Sequence, residues 1–332
     1  MSCKISNIAY YLPEKILTNE ELSGQFPDWT PEKIEEKIGV RERRIVGENE
    51  TALDLAFAAC EKLFSENNIN KSEIDFLLLC TQSPDYYLPT SACILQDKLG
   101  LRQETGALDF NLGCSGFVYG LAVAKGLIEA KIAQKILLVT AETYSKYINP
   151  QDKGNRTIFG DGAAATLVEF SENSQILNFE LGTDGSGYKN LIVPNGAARH
   201  KFDANAQIIS EENLVTENDL YMNGGEIFTF TIQKIPVLVK NTLIKNELTA
   251  DEIDYYVFHQ ANKYILDYLR KKLKISEDKF YNNLLLTGNT VSSTIPLAIK
   301  DLTDNGTLKK GMKVLLAGFG VGLSWGATVI EI

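Results

Sequence analysis

The chain has 332 residues, 44% of them hydrophobic, which is enough to bury a large core in one or two domains. A formal net charge of −10 argues against nucleic acid and against anionic membrane surfaces as the main partners. No apolar run is long enough to span a bilayer, and residues 1–7 lack the apolar core of a signal peptide, so we expect a cytoplasmic protein. The five cysteines show no CxxC spacing, which is typical of a reducing compartment rather than of a disulfide framework.

The first half of the chain alternates between predicted strands and predicted helices. It opens with a strand at residues 4–11, followed by a polar helical run at residues 32–37. Thr51 and Asp54 form a capping pattern that predicts a helix over residues 51–64. Buried strands are predicted where the sequence is continuously apolar, at residues 74–80, 107–112, 135–141 and, after a glycine turn, 159–170.

Residues 106–122 combine a buried strand, a glycine-flanked turn and an amphipathic helix. Gly113 and Gly116 flank Cys114, which is therefore expected at the first turn of the helix. Unpaired N–H groups and the positive dipole end at that position favour an anion and lower the pKa of a thiol below about 8.5. A nucleophile is one interpretation of Cys114, and a small buried hydrophobe is the other.

The second half of the chain repeats the first. The matching segments are 72–82 with 251–260, 135–139 with 313–317, and 159–170 with 319–332. Two copies of one α/β unit therefore make up the chain, as halves 1–175 and 176–332, with mostly parallel sheets between helices. Residues 171–225 interrupt the second copy and are predicted to form long loops.

The repeat places Asn289 at the position that Cys114 occupies in the first half. His259 follows a predicted buried strand at 254–258, and strand ends are where α/β folds build their sites. A Cys, a His and an Asn that meet at one point are typical of a thiolate nucleophile with polar helpers. Taken singly, His259 could be a hydrogen-bonded core histidine and Asn289 a turn and helix cap.

Four motifs, in their order along the chain, resemble those of the β-ketoacyl-acyl-carrier-protein synthase III family. The members of that family are condensing enzymes of the thiolase superfamily. The motifs are Asn111-Leu-Gly-Cys114-Ser-Gly-Phe117, His259-Gln-Ala-Asn262, Gly288-Asn289-Thr290 and Gly318-Phe-Gly-Val-Gly-Leu-Ser-Trp-Gly326. The resemblance runs over nearly the whole chain. It implies an α/β protein with the thiolase fold, two pseudo-symmetric halves in a five-layer α-β-α-β-α sandwich. It also implies a homodimer that pairs the strand at 107–111 across a two-fold axis.

The resemblance further implies a two-step reaction. A primer acyl group passes from coenzyme A to Cys114, and malonyl-acyl-carrier protein then loses carbon dioxide to give an enolate that attacks the acyl-cysteine. The product is a 3-oxoacyl-acyl-carrier protein, which starts fatty acid or specialised acyl-chain synthesis. Backbone N–H groups of Cys114 and Val321 would form the oxyanion hole, and His259 and Asn289 would donate to the malonyl thioester oxygen. Neither a metal nor a cofactor is expected, since coenzyme A enters as a thioester substrate.

Other positions carry over from the family one at a time. Trp29 and Lys153 correspond to residues on either side of the coenzyme A adenine. Phe159 and Phe319 would help to wall the acyl pocket. Leu88 corresponds to a residue that reaches into the partner subunit's pocket and limits primer size, with an ordinary core leucine as the alternative.

The expected docking surface for the carrier protein departs from the family pattern. Tyr264 stands where the family usually has an arginine, and Thr229 where it has a lysine. Lys263, Lys271 and Lys272 remain as a basic patch, for which a solvated surface is the alternative.

These departures leave three hypotheses for the function. The first is the condensing enzyme described above. The second is a relative of secondary metabolism that uses coenzyme A thioesters or other acceptors. Its hydroxymethylglutaryl-type variant needs a glutamate base, where residues 81–87 offer only Asp85. The third is a non-catalytic partner subunit, although such subunits usually lose the cysteine.

Overall fold

The computed structural model describes residues 2–211, 213–282 and 284–332. Within these ranges the strands are β1 (Ser2–Tyr11), β2 (Ile16–Thr18), β3 (Glu42–Arg44), β4 (Phe76–Cys80), β5 (Gly106–Phe110), β6 (Lys135–Glu142), β7 (Gly162–Ser171), β8 (Glu180–Thr183), β9 (Leu191–Ile192), β10 (Ile208–Ser210), β11 (Val215–Thr216), β12 (Tyr221–Met222), β13 (Tyr255–Phe258), β14 (Lys313–Gly320) and β15 (Ser324–Glu331). The α-helices are α1 (Asn19–Gln25), α2 (Pro31–Ile38), α3 (Ala52–Asn67), α4 (Ser91–Lys98), α5 (Gly116–Glu129), α6 (Lys153–Arg156), α7 (Gly224–Lys245), α8 (Lys263–Lys272) and α9 (Thr294–Asp304).

Two larger sheets have the same internal order. The first runs β1-β7-β6-β4-β5 and the second β8-β15-β14-β13, so β8, β15, β14 and β13 correspond to β1, β7, β6 and β4. The parallel pair β4–β6 corresponds to β13–β14, and the antiparallel pair β6–β7 corresponds to β14–β15. The repeat predicted from the sequence is therefore confirmed as a repeat of sheet topology.

The prediction of mostly parallel sheets is wrong. The edge pairs β1–β7 and β8–β15 are antiparallel. The pairs β6–β7 and β14–β15 are antiparallel as well. In the second half, β14 ends at Gly320 and β15 begins at Ser324, and an antiparallel pair can be joined by such a short turn without a crossover helix.

The two sheets enclose a central helical layer. Helix α5 contacts both sheets, and α9 lies beside it against β1 and β13. Phe117 and Leu121 of α5 and Ile295 of α9 pack in one buried core with Leu138 of β6 and Leu316 of β14. Helices α3 and α4 cover the outer face of the first sheet, and α7 and α8 cover that of the second. This is the five-layer sandwich that the resemblance implies.

Local sequence signals explain several element boundaries. Thr51 accepts from the backbone N–H of Asp54, and the Asp54 carboxylate accepts from the N–H of Thr51, so the predicted capping box starts α3. The region 171–225, predicted as loops, contains the short strands β8–β12. The predicted boundary between residues 175 and 176 lies between β7 and β8 and stays a prediction. Among the described residues, no helix is long and apolar enough to cross a membrane.

Polar contacts join the two halves around one point. The hydroxyl groups of Ser115 and Ser324 are 2.7 Å apart, and those of Thr140 and Ser293 are 2.8 Å apart. Asn289 pairs with the segment before β7, because its N–H donates to Ile158 and its carbonyl accepts from Gly160. These contacts fix the start of α9 against the first half.

We expect Gly160→Ala to destabilise this junction. A Cβ at Gly160 would lie 2.1 Å from the carbonyl oxygen of Thr287, which is backbone and cannot rotate away. The free energy of unfolding in urea should fall by about 2–3 kcal/mol. Gly126→Ala is the matched control, because Gly126 lies in α5 with no neighbour within 4 Å outside its own helix, and alanine there should stabilise by up to about 1 kcal/mol. Equal stability of the two variants would contradict the prediction.

Candidate active site

Cys114 lies where the first sheet, the central helix and the second sheet meet. It precedes Ser115, the N-cap of α5, so it faces the helix end instead of forming the first turn as predicted. The side chain is only 5% exposed. A Cβ at Gly320 would lie 2.8 Å from the Cys114 sulfur, so glycine at the end of β14 lets the backbone approach the thiol.

Burial dominates the acidity of this thiol. Burial first, and then the nearby Glu142 carboxylate, raise the pKa of Cys114 to about 12, with a partial offset from the backbone N–H groups of Val321 and of Cys114 itself. Burial therefore opposes the acidification that was expected from the helix end, and the pKa of the free thiol is raised instead of lowered. The thiol rests in its protonated form, with two backbone N–H groups directed at the sulfur.

His259 follows β13 and is buried, with 2% of its surface exposed. The backbone N–H of His259 donates to the carbonyl oxygen of Ala317 in β14 at 2.8 Å, which fixes the backbone at this position. The ring packs edge-on against Phe319 at 5.7 Å between ring centres. Burial lowers the pKa of His259 to about 3, with a partial offset from the carbonyl of Val291, so the ring is neutral near pH 7.

Asn289 lies beside His259, as the sequence analysis predicts. Its Nδ2 is 3.5 Å from Nε2 of His259 and donates to the carbonyl of Ala261 at 3.3 Å. Its Oδ1 accepts from the N–H of Val291 at 2.8 Å, which directs the amide N–H groups towards the histidine. Val291 has a φ of +55°, a strained conformation for a β-branched residue. Strain of this kind concentrates at functional sites.

Buried aromatic and aliphatic side chains surround Cys114. Phe159 belongs to this cluster, together with Val291 and Tyr144, whose ring centre is 5.3 Å from that of Phe159. The sequence analysis missed Tyr144, whose hydroxyl donates to the side-chain oxygen of Gln82. Phe319 instead belongs to the core of the second half, and its ring contacts that of His259. The wall next to Cys114 therefore combines aromatic and aliphatic side chains.

Leu88 lies outside this cluster within its own chain. It is 82% exposed, beside exposed Tyr86 and Tyr87. The alternative of an ordinary core leucine is therefore wrong. Its predicted position in the partner's pocket stays a prediction.

Trp29 borders a cavity of about 250 Å³. Lys33 and Lys37 lie over its ring. Helix α6, which begins at Lys153, forms another side of the cavity through Asp152 and Gly154. Of the two residues predicted to flank an adenine, Trp29 therefore lines this cavity, and Lys153 lies between two residues that line it.

Helix α8 carries the three predicted docking lysines. Lys263 and Lys271 line a groove of about 550 Å³ together with Tyr264, and Lys272 is exposed next to it. Phe228 packs against Tyr264 at 5.3 Å between ring centres. The groove is therefore partly aromatic where the family pattern has charge.

The sequence analysis also missed Glu142, a buried carboxyl at the end of β6. It accepts from the Ser292 hydroxyl at 2.8 Å, from the N–H of Gln82 at 3.0 Å and from the Ser83 hydroxyl at 3.4 Å. Burial raises the pKa of Glu142 to about 8. The rule that strand ends build sites, applied here to His259 alone, also points to Glu142. Asp85 is the one carboxylate that residues 81–87 offer as a base. It accepts a hydrogen bond from the hydroxyl group of Thr51.

We expect Glu142→Gln to flatten the pH dependence of stability. Between about pH 4.3 and 8 the folded protein holds a proton on Glu142 that the unfolded chain has released, so stability falls as pH rises through this window. Glutamine cannot ionise, so its stability relative to wild type should increase from pH 5 to 8, as measured by urea unfolding. Exposed Glu129, replaced in the same way, serves as control. A parallel pH dependence of wild type and E142Q would contradict the prediction.

In the described part of the chain, no group of three or more His, Cys, Asp or Glu side chains could hold a metal ion. What the site offers instead is a buried thiol, a neutral histidine and an amide, with donors from both halves. These features, inside a five-layer sandwich with an internal repeat, define a condensing enzyme with the thiolase fold, an acyltransferase.

Comparisons with known proteins agree with this class. The model of the 3-oxoacyl-[acyl-carrier-protein] synthase III family matches residues 108–185. The model of the C-terminal region of the same family matches residues 243–332. The β-ketoacyl-[acyl-carrier-protein] synthase III of Clostridium acetobutylicum is 37% identical over 330 residues, which cover 99% of this chain and 98% of that protein. The chain therefore belongs to the β-ketoacyl-acyl-carrier-protein synthase III family.

Solved structures support the fold assignment. The crystal structure of a 3-oxoacyl-(acyl-carrier-protein) synthase III matches with a TM-score of 0.97 and 48% identity, and covers 100% of both chains. The priming β-ketosynthase of the R1128 polyketide pathway matches with a TM-score of 0.88 and 26% identity, over 100% of this chain and 96% of that one. The predicted thiolase fold is therefore confirmed.

Proposed function

We propose that the protein condenses an acyl-CoA primer with malonyl-acyl-carrier protein to give a 3-oxoacyl-acyl-carrier protein. The observation that carries the proposal is the pairing of two donor sets at one site. Two backbone N–H groups are directed at the Cys114 sulfur, and a neutral histidine lies 3.5 Å from an amide N–H. Two donor sets suit two oxygens that become negative at different steps.

In the first step, the Cys114 sulfur attacks the carbonyl carbon of the primer thioester. The tetrahedral oxyanion accepts from the N–H groups of Cys114 and Val321. Coenzyme A leaves as its thiol and carries away the proton that Cys114 loses. The pKa of Cys114, raised to about 12 by burial, requires the proton to leave during the reaction.

In the second step, the malonyl C–C bond to the carboxylate breaks and carbon dioxide leaves. The electron pair forms an enolate whose oxygen accepts from His259 and Asn289. The enolate carbon then attacks the acyl-cysteine carbonyl, and the Cys114 thiolate leaves and takes a proton from solvent. Burial keeps the pKa of His259 near 3, so the ring acts as a neutral donor.

The other predicted residues bind substrate. Trp29 and Lys153 would hold the adenine of coenzyme A near the cavity that Trp29 borders together with the neighbours of Lys153, Asp152 and Gly154. Phe159 would wall the acyl pocket next to Cys114, and Phe319 would support the ring of His259. In this proposal no cofactor takes part, and the protein acts in the cytoplasm.

We also propose that the active form is a homodimer. Strand β5 is an edge strand of the first sheet, and Leu108 on it is exposed, as are Tyr87 and Leu88. Unpaired edges with apolar side chains favour pairing with another chain. Light scattering at micromolar concentration should give twice the chain mass, and Leu108→Lys should shift it towards the monomer. A monomeric wild type would overturn the proposal.

One observation favours a second candidate, condensation with an acceptor other than the housekeeping carrier protein. The groove on α8 presents Tyr264 and Tyr268, so it offers aromatic contact where the family pattern offers a cation. Lys263, Lys271 and Lys272 keep part of the positive charge expected for carrier-protein docking. Replacing malonyl-acyl-carrier protein by malonyl-CoA separates the two candidates.

The test is a reconstituted reaction with a panel of acyl-CoA primers that are short, branched, long or aromatic. Mass spectrometry of the carrier protein should show a 3-oxoacyl group with at least one primer. Product on coenzyme A but not on the carrier protein would favour the second candidate. No product from either acceptor would overturn the proposal in favour of a non-catalytic subunit.

A further inference from the structure

A buried carboxyl group bridges the two halves of the chain beside the active site. Glu142 is the last residue of β6 and is fully buried. Its Oε1 accepts from the hydroxyl group of Ser292, in the second half, at 2.8 Å. Its Oε2 accepts from the N–H of Gln82, in the first half, at 3.0 Å. This carboxyl group takes part in neither step of the proposed reaction.

Ser292 directly follows Val291, which serves both side chains of the second donor set. The N–H of Val291 donates to Oδ1 of Asn289 at 2.8 Å. The carbonyl group of Val291 accepts from the ring of His259. One residue therefore orients both groups that would stabilise the enolate.

The conformation of Val291 needs support from its surroundings. A φ of +55° is unfavourable for a β-branched residue, and it persists only where neighbouring contacts impose it. Before Val291, backbone bonds to Ile158 and Gly160 hold Asn289. After Val291, the hydroxyl group of the next residue is held by Glu142. The strained residue therefore lies between two anchors on the first half.

We propose that Glu142 is a positioning residue, which holds Ser292 and so keeps Val291 in the conformation that orients His259 and Asn289. Glu142 does not touch the substrate in this proposal, because it acts through Ser292 and Val291. The inference rests on the proposed function for its consequence, since His259 and Asn289 act on the enolate. Acylation of Cys114 depends on other donors, those of Cys114 and Val321.

The discriminating variant is Ser292→Ala, which removes one anchor and leaves Glu142 bonded to Gln82. We expect release of carbon dioxide from malonyl-acyl-carrier protein to fall about 10-fold, because a displacement of about 1 Å can cost up to about 10²-fold. Acylation of Cys114 from acyl-CoA should stay close to that of the wild type. An equal fall in both half-reactions would indicate general loss of structure and overturn the inference.

The Ser292 hydroxyl group also interacts with the sulfur of Cys80. The thiol of Cys80 has its own bond to the carbonyl of Leu112, two residues before Cys114, at 2.8 Å. That bond does not involve Ser292, so the strand end behind Cys114 keeps its anchor in S292A. The split between the half-reactions is therefore expected in spite of this second contact.

Val291→Gly tests the role of backbone strain. Glycine adopts a positive φ without the steric cost of a side chain, so the turn no longer needs the anchor at Ser292. We expect S292A to slow carbon dioxide release by about threefold or less in the V291G background, because the two changes act on one conformation. The same fold-loss in both backgrounds would overturn the inference.

Two replacements of Glu142 test the bridge from its other end. Glutamine keeps the shape of glutamate, and it can accept from Gln82 while its amide nitrogen donates to the Ser292 hydroxyl. We therefore expect E142Q to lose less carbon dioxide release than S292A. Glu142→Met cannot hold Ser292, so adding S292A to E142M should cost little more. Additive losses in the double variant would contradict the proposed path.

Ser145→Ala is the matched control, because the Ser145 hydroxyl also donates to a buried carboxylate, Asp161, but within the first half. S145A should leave the ratio of the two half-reactions unchanged.

Crystal structures of the wild type, S292A and S145A report the position of the turn without using activity. Nδ2 of Asn289, 3.5 Å from Nε2 of His259 in the wild type, should be displaced in S292A only. An unchanged turn in S292A would overturn the inference. If the wild type neither takes up an acyl group nor releases carbon dioxide, the proposed function fails, whereas the structures still show whether Ser292 holds Val291.

Discussion

Cys114→Ala is expected to take up no acyl mass from any acyl-CoA, whereas the wild type gains one acyl group. The backbone N–H groups of Cys114 and Val321, which form the proposed oxyanion hole, interact with this sulfur. Without it the covalent step has no nucleophile, and condensation should fall by at least about 10³-fold. Intact-protein mass spectrometry after incubation with the primer panel gives the result directly.

The structure supplies a matched control for this experiment. Cys93 is an exposed free cysteine, and Cys114 is buried. If acylation followed exposure alone, Cys93→Ala would lose the adduct and Cys114→Ala would keep it. We expect the reverse, with full acylation of C93A. An adduct on C114A would show that acylation does not depend on the proposed nucleophile.

Asn289→Asp is expected to suppress release of carbon dioxide by about 10²- to 10³-fold, the usual effect of losing one oxyanion donor. Aspartate has the shape of asparagine, and its Oδ1 can still accept from the N–H of Val291, so the strained loop keeps its anchor. The Nδ2 donor next to His259 is replaced by an oxygen that repels an enolate, and the bond from Nδ2 to the carbonyl of Ala261 is lost with it. The assay measures carbon dioxide from malonyl-acyl-carrier protein.

The half-reactions separate a donor role from a structural one. Cys114 of N289D should still gain an acyl mass, because the first oxyanion hole comes from other residues. Asn7→Asp is the control, since the Asn7 amide donates to Asn67 far from the site. Loss of both half-reactions in N289D would indicate collapse of the loop and contradict the assigned role.

The sequence analysis succeeded where a short motif determines local structure. The glycine-flanked turn at Cys114, the strand before His259 and the loop at Asn289 all follow from composition and repeat, and the resemblance supplies their order. The fold class and the family follow from the same motifs. Their catalytic roles stay predictions until the variants are measured.

The sequence analysis failed where a property depends on how the rest of the chain packs around a residue. The helix end suggested a lowered pKa for the Cys114 thiol. Burial, which cannot be judged from the helix alone, raises that pKa instead. Glu142 has no motif of its own, because its partner Ser292 is 150 residues away in the chain. The exposure of Leu88 likewise depends on how the whole surface packs.

Each helix of the central layer begins shortly after one of the two functional residues, α5 at Gly116 after Cys114 and α9 at Thr294 after Asn289. In a symmetric pair of identical units, both helix ends would have to carry the same residues, and any change would be made twice. Joining the units in one chain lifts that constraint. One helix end could then specialise in bonding to the acyl group and the other in stabilising negative charge, so a duplicated scaffold yields a single site with a division of labour.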